Sequence, residues 1–156
     1  MDAAMESQVF DRVGKDFLTK LCQRRHFEPI GSPAERHGSW EWTFRKRVDG
    51  LDRFVLVAFT SLPPAVPDSD WYAVEVWAGA EKENRYTRKP VSDFHASLQE
   101  SYRQRLRSAL EEPLARAMSI ADSLTSRDLD EAYAGPRSTE PRQNTRSSSA
   151  SPPEGA

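Results

Sequence analysis

The segment from Ser39 to Thr60 constrains the fold of this chain more than any other stretch. Its first half alternates Trp40, Trp42 and Phe44 with polar residues, which is the period of a pleated strand with one apolar face. An Asp49-Gly50 pair follows, and it tolerates the positive φ angles that a two-residue type I′ turn requires. The segment therefore predicts a β-hairpin.

Counting outward from that turn predicts which residues face each other across the hairpin. On the aromatic side the predicted pairs are Trp40 with Phe59, Trp42 with Val57 and Phe44 with Val55. On the other side they are Arg47 with Asp52, Arg45 with Phe54 and Glu41 with Ala58. The aromatic side is the predicted core face.

Apolar periodicity predicts the remaining elements. Residues Glu6 to Arg25 carry an apolar stripe at helical spacing, and a short edge strand at Phe27 to Ile30 precedes a loop at Gly31 to Gly38. Trp71 to Ala80 alternates as a third strand, with Tyr72, Val74, Val76 and Ala78 on its core face. The prolines between residues 62 and 68 exclude regular structure there.

The second half of the domain is predicted to be a short polar strand followed by helix. The strand covers Arg85 to Lys89, and Ser92 is the expected N-cap of a long helix with Phe94 and Leu98 in its apolar stripe. Pro113 should kink or restart this helix. A last short helix is expected from residue 126 to residue 133.

These elements predict an α+β fold, an antiparallel β-meander of four or five strands flanked by an N-terminal helix and a long kinked C-terminal helix. Of the 156 residues, 1–135 should form a single domain. Residues 136–156 contain no large apolar side chain and should form a disordered tail rich in Ser, Pro and Arg. The pattern leaves open whether the two helices cover one face of the sheet or both.

Composition limits the classes of function. The formal net charge of -2 provides no general attraction to nucleic acid or to an anionic membrane. The longest apolar run, Phe54 to Phe59, is far too short to span a membrane, and the acidic N-terminus does not resemble a secretory signal. We therefore expect a cytoplasmic protein without a membrane partner. The single cysteine, Cys22, lies in the apolar stripe and should be a buried hydrophobe.

Common catalytic and cofactor motifs are missing from the sequence. The glycines form no phosphate-binding loop, the three histidines show no paired ligand spacing, and no serine lies in a GxSxG motif. The sequence therefore predicts no cofactor and identifies no catalytic, cofactor-binding or metal-binding residue. One alternative is a metal-dependent hydrolase or nuclease using Glu41 and Glu75, which share a predicted sheet face.

A second alternative is a single-stranded nucleic-acid-binding protein. Arginines interleaved with aromatics on a sheet can stack unpaired bases. The basic residues fall into three groups: Arg45, Lys46 and Arg47 with Arg53; Arg85, Arg88 and Lys89; and Arg103, Arg105 and Arg107. Acidic residues lie between the basic ones, however, and a solvated charged surface accounts for the same pattern.

The favoured interpretation is a small non-catalytic module that binds another protein, comparable in size and architecture with immunity, antitoxin or chaperone modules. If both helices lie on the aromatic side of the hairpin, the opposite sheet face presents a mixture of aromatic and charged residues typical of interfaces. The predicted partner-binding residues are Glu41, Arg45, Phe54, Trp71, Glu75 and Trp77. Oligomeric state is left open.

Overall fold

A computed structural model describes residues 9–36, 38–62 and 71–131. The fold is α+β, as predicted, with an antiparallel sheet that follows a short N-terminal helix and precedes a long C-terminal helix in the chain. The helices are α1 (Lys15–Gln23) and α2 (Arg103–Ser123), and a 3-10 turn at Glu100–Tyr102 leads into the second. The strands are β1 (Glu28–Pro29), β2 (Ala34–Arg36), β3 (Ser39–Val48), β4 (Leu51–Ser61), β5 (Trp71–Lys82) and β6 (Arg85–Ser97). Residues 9–13 and 126–131 are also helical.

The sheet is a meander in which successive long strands are neighbours. The strand order is β1-β3-β4-β5-β6, and every pairing is antiparallel. The short strands β1 and β2 both pair with the outer edge of β3. Strand β6 forms the opposite edge, so the four long strands make a continuous surface.

The predicted hairpin is confirmed residue by residue. Strands β3 and β4 pair in the register obtained by counting from the turn, including Trp42 with Val57 and Arg45 with Phe54. Asp49 has φ of 57° and Gly50 has φ of 74°, the left-handed pair that a type I′ turn needs. Local sequence was sufficient to predict this register, because both the alternation and the turn lie within one segment.

Both helices pack on the same face of the sheet, which resolves the question left open by the sequence. A single buried cluster joins side chains of α1 and α2 to Trp42 of β3, Val57 of β4 and Val76 of β5. Phe10 contacts this face edge-on, with ring centroids 5.7 Å from Trp42 and 5.4 Å from Phe59. The aromatic side of the hairpin is therefore the core face.

The N-terminal helix is interrupted where a continuous helix was predicted. Gly14 has φ of 111°, and helical residues 9–13 are separated by it from α1. The guanidinium of Arg107 occupies the space beside Gly14, and its Nε donates to the carbonyl oxygen of Val13 at 2.9 Å. The break thus lies against a side chain of α2, which the local apolar pattern does not contain.

The predicted helix from Ser92 was wrong, because this segment continues β6 to Ser97. Strand β5 pairs with it along nearly its whole length, up to Trp71 opposite Ser97. Helix α2 begins only at Arg103. A separation of four residues between Phe94 and Leu98 fits a helical stripe and a strand face equally well, and pairing with β5 decides between them.

Smaller differences concern a loop and a proline. The predicted loop at Gly31 to Gly38 contains β2, and the predicted edge strand containing Pro29 is confirmed as β1. Helix α2 continues through Pro113 without interruption.

Several predictions concern residues outside the described ranges. They are the disordered tail, the domain boundary at residue 135, most of the proline-rich segment 62–68 and the start of the chain.

No helix in the described ranges is both long enough and apolar enough to cross a membrane.

Candidate interaction surface

The side of the sheet that faces away from both helices is called the open face. It is formed by alternate residues of the four long strands, and no helix packs against it in the described part of the chain. Its central members are Glu41, Thr43 and Arg45 of β3, Phe54 and Leu56 of β4, Glu75, Trp77 and Gly79 of β5, and Tyr86, Arg88, Asp93 and His95 of β6. All predicted partner-binding residues except Trp71 belong to this central group.

The apolar centre of the open face is covered by its own side chains. Phe54 and Leu56 are only 5% and 6% exposed although no helix among the described residues lies over them. The ring of Tyr86 stacks on Phe54 with centroids 5.7 Å apart, and Phe54 rests directly on Gly79, where a Cβ atom would clash with its ring. The solvent therefore meets the Tyr86 ring, which is 50% exposed.

Trp77 is half-buried and held on two sides. Its indole N–H donates to Oε1 of Glu75 at 3.1 Å, and the guanidinium carbon of Arg88 lies 4.3 Å from the centre of its ring. These contacts hold an amphipathic side chain in one orientation at the surface. A tryptophan held in this way can enter an interface with little further loss of rotamer freedom.

Charged side chains of β3 surround a cavity of about 160 Å³ whose floor is Phe54 and Leu56. On one side Glu41 pairs with Arg36 at 3.8 Å. On another side Arg45 reaches Asp52 only at 4.0 Å, because Asp52 also accepts from Arg47 at 3.1 Å. Arg45 is thus a weakly paired cation at the rim of an apolar hollow.

The other end of the open face carries two adjacent carboxylates. Glu75 of β5 lies directly opposite Asp93 of β6. Like charges in directly opposed positions destabilise a sheet, and among the described residues neither carboxylate has a salt-bridge partner within 4.0 Å. Both side chains line shallow cavities of about 370 Å³ and 390 Å³.

The six sequence-predicted residues are therefore distributed over three places. Glu41, Arg45 and Phe54 surround the hollow of about 160 Å³. Glu75 and Trp77 lie beside the cavity of about 370 Å³ near β6. Trp71, which is 46% exposed, lies at the end of β5 and contacts Tyr102 near the start of α2, with ring centroids 6.3 Å apart.

Sequence reasoning missed the contribution of β6 to this surface. Tyr86 and Arg88 were predicted on a strand but not assigned to a face, and Asp93 and His95 were expected in a helix. A period of two was present from residue 93 to residue 98, where the polar residues Asp93, His95 and Ser97 alternate with the apolar residues Phe94, Ala96 and Leu98. That alternation was the available signal for the longer strand.

The alternative catalytic pair does not come together as a metal site. Glu41 and Glu75 both lie opposite Ala58, one on each side of it, so their backbones are separated by two strand spacings of about 4.8 Å each. Within the described ranges, no group of three or more His, Cys, Asp or Glu side chains is arranged to hold a metal ion.

The basic residues of the nucleic-acid alternative are directed to different parts of the fold. Lys46 binds Asp122 at 2.5 Å on the helix side, and Arg53 donates to the carbonyl oxygen of Leu124 at 2.9 Å. Arg47 is paired with Asp52, as described above. Lys46 and Arg53 are thus directed away from Arg45, whereas Arg45 and Arg47 share the carboxylate of Asp52, and this division of the basic group weakens the nucleic-acid interpretation.

Comparisons with known proteins assign no function. No protein-family model, curated protein or solved structure matches the chain.

Proposed function

We propose that this protein is a non-catalytic module that binds another protein through its open face, in the general manner of small immunity, antitoxin or chaperone modules. The observation that carries this proposal is the half-buried Trp77, held between Glu75 and Arg88 on a sheet face that no described helix covers. Tryptophan and arginine are the side chains most enriched among residues that dominate binding energy.

The composition of the surface supports the same function. The exposed ring of Tyr86 lies over Phe54 beside Glu41 and Arg45, and Trp77 lies between Glu75 and Arg88, so aromatic anchors and charges are mixed on the open face as they are in protein interfaces. Tyr86 and Trp77 would supply the apolar contact area. The surrounding charges would determine which partner is accepted.

The test is the substitution Trp77→Ala. Because neither described helix packs on this side chain, the melting temperature of the isolated variant should stay close to that of the wild type. Affinity for a partner that co-purifies with the wild-type chain from its native host should fall by about 2 kcal/mol or more, as expected for an interface anchor.

A matched control is Val48→Ala, which removes another partly exposed apolar side chain, 39% exposed, near the turn of the hairpin. It should leave the partner affinity unchanged. Strong destabilisation by Trp77→Ala, or equal recovery of the partner with both variants, would contradict the proposal.

A further inference from the structure

Strand β6 lies at one edge of the sheet, so part of its backbone is directed away from the other strands. This strand has 13 residues, and among the described strands it pairs only with β5. The outward N–H and C=O groups of an edge strand can pair with another extended chain, so proteins usually protect long edges. Strand β6 is protected over only part of its length.

The first protected point lies near the middle of the strand. Pro90 has no N–H to donate, and the register with β5 shifts between Val76 and Trp77, opposite this point. The carbonyl oxygen of Val91 accepts from Nη2 of Arg116 at 3.0 Å. An added strand is therefore blocked from Pro90 to Val91.

Just beyond the C-terminal end of β6, a second arginine also binds a backbone carbonyl oxygen and so blocks the addition of a strand. Arg12 donates to the carbonyl oxygen of Leu98 from both Nε and Nη2, at 3.2 Å and 2.8 Å. Two arginine side chains from different helical segments thus donate hydrogen bonds to the carbonyl oxygens of the residues that flank 92–97. This stretch is called the β6 window, and it is long enough for a segment of about six residues.

The helix side of the β6 window opens into an apolar cavity of about 210 Å³. Trp71, Phe94, Tyr102 and Leu106 contribute its walls, and the exposed Ala109 of α2 lies at its border. A large apolar side chain of an added strand would fit this cavity, because its burial there would remove apolar surface of both molecules from water.

The open-face side of the β6 window presents the opposite chemistry. Glu75 and Asp93 line a cavity of about 390 Å³ together with His95. Since the two carboxylates oppose each other without a described cationic partner, a basic side chain that reaches them from the outer side of β6, next to Asp93, would offset their repulsion.

We infer that the β6 window binds an extended segment of a partner protein as an additional strand. Because side chains of a strand alternate between its two faces, the segment would alternate apolar residues, directed to the cavity beside Trp71, with basic residues, directed to Glu75 and Asp93. This inference rests on the proposed function and specifies the form and charge of the partner.

The direct test uses two synthetic peptides whose central six residues alternate Val with Lys or Val with Glu, flanked by Gly and Ser. The Lys peptide should bind the full chain at least tenfold more tightly than the Glu peptide. Binding should protect backbone amides within residues 92–97 from hydrogen exchange, and Asp93→Lys should reverse the preference between the peptides. Equal binding of the peptides, or amide protection elsewhere only, would overturn the inference.

A second test fills the apolar cavity from the helix surface. Ala109→Trp should weaken binding of the Lys peptide at least tenfold, whereas the matched variant Ser108→Trp, at the adjacent exposed position, should not. Unchanged binding to Ala109→Trp would overturn the inference, as would a concentration-dependent dimer that Ala109→Trp abolishes, because a second copy would then occupy the window.

The same variants separate this inference from the proposed function. A natural partner that is lost with Trp77→Ala but retained with Ala109→Trp would support the open face and overturn the strand addition. Loss with Ala109→Trp and retention with Trp77→Ala would support the β6 window and overturn the role of Trp77.

Discussion

Arg107 of α2 lies directly against Gly14, in the space that a side chain at that position would occupy. The guanidinium donates to the carbonyl oxygen of Val13 at 2.9 Å, and Gly14 has φ of 111°. The two helical parts of the fold are therefore joined at a backbone conformation that only glycine adopts readily.

The substitution Gly14→Ala should destabilise the protein by about 2 kcal/mol or more, because it combines an unfavourable φ with displacement of Arg107. Denaturant unfolding measures this change. The control Gly31→Ala has a positive φ of 61° but no neighbouring atom within 4 Å of the added Cβ, so it should cost about 1 kcal/mol. Equal costs would contradict a role for Arg107.

The substitution Gly79→Ala should destabilise the sheet by about 1 to 3 kcal/mol through overpacking. Its Cβ atom would clash with the ring of Phe54 and lie 2.5 Å from the backbone oxygen of Thr87. The double variant with Phe54→Leu should recover only part of the stability, since the backbone contact remains. Complete recovery in urea unfolding would show that the ring alone causes the effect.

The substitution Trp42→Ala should cost about 3 to 5 kcal/mol, because it removes a large core side chain. Trp42 is 6% exposed and packs at 4.7 Å from the ring of Phe44. The adjacent variant Thr43→Ala, on the open face, should cost much less. Similar unfolding midpoints for the two variants would be inconsistent with this assignment of faces.

Burial raises the pKa of the Cys22 thiol to about 12. Iodoacetamide at pH 8 should therefore label Cys22 far more slowly in the native protein than in denaturant, because the thiolate is the reactive form. Comparable labelling rates in the two states would contradict this environment.

The same pKa shift predicts the direction of a pH effect on stability. Below the ordinary thiol pKa of 9.0 the Cys22 thiol keeps its proton in both the folded and the unfolded protein, so it causes no loss of stability there. As the pH rises from about 9 toward 12, the unfolded chain loses the proton first and stability falls. The alkaline decrease in unfolding free energy should be smaller in Cys22→Ala than in the wild type.

Much of the sheet could be predicted because its signals are local. Alternation in β3 and the Asp49-Gly50 turn specify the hairpin register, and the absence of ionisable groups on one side of β5 identifies its core face. The same counting correctly placed Glu41, Glu75 and Trp77 on one side of the sheet. None of these inferences needed a distant residue.

The extent of β6 could not be predicted in this way. The spacing of Phe94 and Leu98 is compatible with helix and strand, and only pairing with β5 favours the strand. For this reason Asp93 and His95 were missing from the predicted surface. Their position opposite Glu75 and Ala73 depends on register between strands.

The sequence by itself determined the α+β class, the central hairpin and the two faces of its strands, because periodicity and turn chemistry act over a few residues. Only the tertiary structure decided that both helices share one face, that the first helix is interrupted at Gly14 where Arg107 packs, and that β6 forms a long edge. Those features depend on contacts between residues far apart in the chain, whose free energies are realised only when the core is assembled.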